Sequence, residues 1–161
     1  MSSDTWRLPT LVDFNLYGGD WAQYLGAVYE VFRQDFVESS PVWPSRRWAL
    51  KRHPLHAGKE ATFWHIIQEG DDESTRIPSL RRCERIRWPR KLIDSAHSGR
   101  VRHWTNHRNG ETRILLATED FSYVVVLADR ETYVMLWTAF PVEKQHRREK
   151  LQKEYEKFMG T

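Results

Sequence analysis

The chain has 161 residues and a mass of 19.3 kDa, with 40% hydrophobic and 13% aromatic residues and eight tryptophans. That length suits one domain with an ordinary core, and the aromatic content excludes a disordered tail, because indoles require burial or a stacking partner. The net charge of +3 is unevenly spread: residues 1–40 carry two basic against six acidic side chains, 41–113 sixteen against eight, and 114–161 seven against eight.

A single domain over residues 1–161 is therefore expected, with an N-terminal arm over residues 1–19. Met1-Ser2-Ser3-Asp4-Thr5-Trp6 lacks a basic region followed by an apolar run, so no secretory signal is expected there. No segment reaches the apolar length of a bilayer span, and a membrane is not an expected partner. Cys83 is the single cysteine, which precludes an internal disulfide and suits a reducing cytoplasm. It reads as a buried filler between Leu80 and Ile86.

In chain order, Trp21, Tyr24, Leu25, Val28, Tyr29, Phe32 and Phe36 recur at intervals of three and four after a cap at Asp20, which predicts an aromatic helix over residues 20–38 ended by Pro41. Arg47 to His53 and Glu60 to Gln68 read as short strands, joined by the turn Pro54-Leu55-His56-Ala57-Gly58. Glu69 to Thr75 reads as a polar loop. Pro78-Ser79 opens a basic helix to about Ile86, with Arg81, Arg85 and Trp88 on one face and Leu80, Cys83 and Ile86 on another. A second short helix follows Pro89, over Lys91 to Ala96.

From Val101 the period changes. Val101–Asn106, Thr112–Thr118, Ser122–Ala128 and Thr132–Phe140 are rich in β-branched and aromatic residues, and their short connectors predict an antiparallel meander. Val142 to Met159 closes the chain as a helix with the narrow stripe Leu151, Tyr155 and Phe158. The expected class is α+β: about four to six antiparallel strands packed with an N-terminal aromatic helix, a central basic helix and a C-terminal helix.

The densest charge lies between Ser79 and Arg113, where ten basic residues, nine of them arginine, face only Glu84, Asp94 and Glu111 around Trp88 and Trp104. Arginine's planar fork grips phosphate bidentately and stacks on bases, so the cluster points to a nucleic-acid or other phosphate-bearing partner. No glycine-rich phosphate loop, GxGxxG, GxSxG or HExxH string occurs, and no cofactor is expected. Histidines 53, 56 and 65, and 97, 103 and 107, lack the spacing or cysteine partners of a zinc site, so no metal is assigned.

The chemistry that fits without a cofactor is RNA cleavage by attack of the ribose 2′-hydroxyl on the adjacent phosphate. It needs a base, an acid and cationic donors for the phosphorane, which histidine and arginine supply. His65, expected in an apolar strand, is the leading candidate, with Arg81 and Arg85 one turn apart, Arg113 at the start of Ile114-Leu115-Leu116, and Thr138 as a hydroxyl donor. Lys51, Arg52, His53, Arg82, Trp88, Arg102 and Trp104 are the candidate nucleic-acid contacts.

Over residues 47–140, this layout resembles the barnase, EndoU, colicin and RelE superfamily of compact ribonucleases, often bacterial or phage-borne toxins: His65, the helix with Arg81, Arg82 and Arg85, then a sheet bearing Arg113 and ending in Leu136-Trp137-Thr138-Ala139-Phe140. The resemblance implies a metal-independent RNA endonuclease, with His65, Arg81, Arg85, Arg113 and Thr138 in the catalytic roles, checked by an acidic antitoxin or immunity protein. Two departures are a longer aromatic helix and a modest net charge. Two other readings use the same residues: a non-catalytic nucleic-acid-binding module, and a protein-interaction component whose arginines meet an acidic partner.

Overall fold

A computed structural model describes residues 6–70 and 76–160. The expected loop over Glu69 to Thr75 lies outside the described residues from position 71 onward. The fold is α+β, with a five-stranded sheet, a two-stranded ribbon and five α-helices among the described residues.

The aromatic helix forms as its spacing predicts. Helix α1 spans Trp21–Phe32, the Asp20 carboxylate caps it by accepting the Gln23 N–H at 3.2 Å, and a π turn over Arg33–Val37 carries the same stripe on to Phe36. Tyr24, Val28 and Phe32 are fully buried. The Tyr24 hydroxyl donates to the Val12 carbonyl at 2.9 Å, which ties the N-terminal arm to the core. The arm also crosses the basic segment: the Val12 N–H meets the Glu84 carbonyl at 2.9 Å, and the Trp88 indole meets the Pro9 carbonyl at 2.8 Å.

The meander is present as β4 (Arg102–Arg108), β5 (Glu111–Ala117), β6 (Tyr123–Asp129) and β7 (Tyr133–Pro141), each antiparallel to the next. Strand β1 is only Arg47–Ala49, shorter than expected, and joins β7 in parallel, giving the order β1-β7-β6-β5-β4. Because β1 meets only Tyr133 to Met135, the rest of β7 runs on past it.

Both faces of the sheet are buried. Tyr123, Val125 and Leu127 face the main core with α1 and the helices described next, whereas Val124 and Val126 face a smaller cluster with Trp104, Leu115 and Phe121. Alternation on successive residues explains this division and the unbroken apolar run of β6. Helix α5, Gln145–Met159, covers the second cluster with Leu151 and Tyr155. Phe158, expected in the same stripe, is 42% exposed near the end of that helix.

One predicted strand is a helix. Glu60 to Gln68 contains helix α2, Ala61–Ile67, followed by β2, Gln68–Glu69, which pairs with β3, Ile77–Pro78. Phe63, Ile66 and Ile67 are buried at helical spacing. The first-turn N–H groups of Ala61 and Thr62 are satisfied by the carbonyls of Arg52 and Lys51, at 3.0 and 3.2 Å. This tertiary cap favours the helix over the strand that β-branched and aromatic residues suggest.

Helix α3, Leu80–Glu84, begins at a Ser79 cap and α4 spans Trp88–Asp94, with Pro89 accommodated in its first turn. Cys83 and Ile86 are buried as expected, but Leu80 is 43% exposed because it opens a one-turn helix at the rim. Burial pushes the Cys83 thiol up to about 12, which keeps it protonated.

Trp104 is fully buried, its ring 6.0 Å from Phe121 and 5.6 Å from Tyr155. It is a core residue and presents no face to a nucleic acid. Trp104→Ala is predicted to cost about 3–5 kcal/mol in urea unfolding through the cavity it leaves; a loss under about 1 kcal/mol would contradict this placement.

Candidate nucleic-acid interface

The site begins where β1 stops. After Ala49 the chain leaves the sheet and forms an exposed basic finger, Lys51 to Lys59, containing Arg52, His53 and His56. Paired backbone hydrogen bonds between His56 and Lys59, both 3.0 Å, close its tip. The Trp64 indole donates to the His56 carbonyl at 2.9 Å, and Thr62 Oγ1 donates to the Lys51 carbonyl at 2.9 Å. The finger is thus anchored at its tip and its base to α2.

Alongside the finger, β7 carries a bulge. Val126 opposes Thr138 and Leu127 opposes Leu136, leaving Trp137 as the extra residue. The carbonyl of Trp137 lies 2.6 Å from His65 Nδ1, and the two rings meet edge to face at 4.9 Å. A carbonyl only accepts, so Nδ1 carries the proton and the neutral ring has its lone pair on Nε2. The bulge therefore fixes both the orientation and the tautomer of His65.

Finger, α2 and β7 enclose a cleft of about 500 Å³. Lys51, His56, His65 and Arg76 bring basic groups to it, and Trp64 and Trp137 bring aromatic surface. A second cleft, about 720 Å³, lies on the other side of β2: Gln68 lines the first and Glu69 the second. Its walls include Arg81, Arg82, Lys144 and Arg147 from α3 and the start of α5, with Phe140 and Pro141 of β7.

The candidate residues fall into separate groups. His65 and Lys51 share the first cleft, with His53 and Arg52 exposed on the same finger and Arg52 Nη1 3.8 Å from Glu60. Arg81 and Arg82 line the second cleft. Arg82 donates to the Gln68 carbonyl at 2.6 Å and stacks over Phe140 at 5.6 Å, and burial pulls its guanidinium below the ordinary arginine value. Arg85 turns instead to the Arg81 carbonyl at 3.0 Å and to the ring of Trp88 at 5.1 Å.

Arg113 and Thr138 sit on the α5 face. Thr138 is in register with Val126 and Leu115 of the α5-side cluster, and Arg113 is in register with Asn106, whose amide donates to Glu154 of α5 at 2.8 Å. They are two strands apart, about 10 Å across the sheet. Arg102 lies over Tyr155 at 5.7 Å. The structure does not bring Arg81, Arg85 and Arg113 into the cleft that holds His65.

Arg76, Trp64, His56 and Trp137 complete the first cleft but are absent from the sequence-derived site. Only His56 carried a signal, as a histidine in a basic turn; Trp64 and Trp137 resemble core aromatics until the bulge and α2 are placed. Among the described residues, no group of three or more histidine, cysteine, aspartate or glutamate side chains is arranged to hold a metal ion. No described helix is long and apolar enough to cross a membrane.

Compared with protein-family models, curated proteins and solved structures, the chain matches none.

The bulge contact predicts a tautomer. Nitrogen-15 NMR of the neutral His65 ring should show the proton on Nδ1; a proton on Nε2 instead would remove the Trp137 carbonyl as its anchor.

Proposed function

We propose that the chain is a metal-independent RNA endonuclease whose active cleft lies between the basic finger and the bulged edge of β7. The observation that carries this reading is His65, held by Nδ1 on the Trp137 carbonyl in a cleft that also collects Lys51, Arg76 and a second histidine.

In the proposed reaction, His65 Nε2 removes the proton from a ribose 2′-hydroxyl and the freed oxygen attacks the adjacent phosphorus. The bond from phosphorus to the 5′-oxygen breaks as His56 gives that oxygen a proton. The products are a 2′,3′-cyclic phosphate and a 5′-hydroxyl, and a second proton exchange restores the two histidines. Lys51 and Arg76 offset the charge that develops on the phosphorane, and Trp64 and Trp137 offer faces on which bases stack. The RNA supplies its own nucleophile, so the chain needs no activated serine or cysteine.

This reading keeps the ribonuclease chemistry and the base role of His65, and it moves the cationic role from Arg81, Arg85 and Arg113 to Lys51 and Arg76. The binding-module reading shares every feature of the cleft except turnover.

Purified protein treated with EDTA is predicted to cut a labelled single-stranded RNA, leaving cyclic phosphate ends, and His65→Ala is predicted to lower the rate about 10²–10⁴-fold with the fold retained by circular dichroism. Intact RNA with the wild type, despite salt-sensitive binding, would make the chain a binding module. Undiminished cleavage by His65→Ala would move the chemistry elsewhere.

A further inference from the structure

The second cleft is a charged feature that the proposed reaction leaves unused. It adjoins the first along two elements. Consecutive residues of β2 line one cleft and then the other, and along β7 the lining passes from Leu136 and Trp137 to Phe140 and Pro141. Trp137 to Phe140 is three residues, about 10 Å of strand, a distance that a single-stranded RNA covers in a few nucleotides.

Arg82 stands at the border. Its bond to the Gln68 carbonyl and its stacking on Phe140 hold the guanidinium between the two clefts. Beyond it, Arg81, Lys144 and Arg147 are exposed. Three carboxylates share this cleft: Glu69, Glu84 and Glu143. Glu84 lies 3.8 Å from Arg85, and Glu143 lies 2.8 Å from Arg81 Nε, with side chains 57% and 64% exposed. An exposed pair of this kind contributes little in water, so a phosphate can displace Glu143 from Arg81 at small cost.

We propose that the second cleft is a phosphate subsite for the same RNA strand, with Arg81 and Arg147 contacting the backbone a few nucleotides from the point of cleavage and Glu143 occupying Arg81 until RNA arrives. This rests on the reading that the first cleft takes RNA. It gives Arg81 a binding role away from the reacting atoms and makes affinity depend on strand length.

The test uses fluorescein-labelled 2′-O-methyl RNA of four and twelve nucleotides, which lacks the nucleophile and so reports binding apart from chemistry. Fluorescence anisotropy is predicted to show the longer strand binding more tightly to the wild type. In Arg81→Ala/Arg147→Ala that length advantage falls about tenfold, and the slope of log Kd against log salt falls by about 1.4, since each phosphate contact on a single strand contributes about 0.7. Glu143→Gln moves the other way and tightens binding of the longer strand. An unchanged length advantage and slope in the double variant would overturn the subsite, as would no binding of either strand. Retained length dependence in a protein that never cuts unmodified RNA would uphold the subsite and retire the nuclease.

Discussion

The arrangement turns on the mismatch between β1 and β7. Strand β1 supplies three residues of pairing and β7 is nine residues long, so among the described residues most of one edge of β7 lacks a strand neighbour. Sheet edges carry peptide groups that need partners, and an open edge invites pairing with another chain. The described contacts answer this with α2, which packs along β7 and places His65 on the carbonyl of the bulged Trp137. The bulge shifts the register of β7 against β6 by one residue at the position that meets His65. Edge protection and orientation of the candidate base are one contact.

Electrostatics follow from the same departure. Because the chain leaves the sheet at Ala49, the residues Lys51, Arg52, His53 and His56 project as a finger beside the β7 edge instead of continuing a strand. Arg81, Arg82 and Arg147 gather on the far side of the β2/β3 ribbon. Much of the arginine excess seen in the sequence is structural. Arg90 donates to Asp94 and to the Asp35 carbonyl, Arg87 to Thr10, and Arg85 to Arg81 with its guanidinium over Trp88. Arginine binds carbonyls and aromatic faces as readily as phosphates, and composition alone does not distinguish these uses.

The periodic elements were legible in the sequence. The aromatic stripe of α1 and the four meander strands are close to where spacing and turn residues put them, because each buries a continuous face and its side-chain period is unambiguous. His65 stands out in the sequence as a candidate, but the strand expected around it is a helix: a five-residue apolar run fits either period, and the finger carbonyls that cap α2 lie outside any local window. The bulge at Trp137 left no mark, since Leu-Trp-Thr-Ala-Phe reads as an ordinary strand. Convergence of the arginines on His65 was an assumption about topology, and the fold puts Arg81 in the second cleft, Arg85 against Trp88 and Arg113 on the α5 face.

In the proposed reaction RNA lies between the basic finger and the bulged edge of β7. Photocrosslinking a single-stranded RNA that carries 4-thiouridine, followed by mass spectrometry of the attached peptides, tests it most directly. Crosslinks are expected on Trp64, Trp137 and the finger around His56. Crosslinks confined to the α5 face near Arg102 and Arg113, or none above an unmodified control, would contradict it.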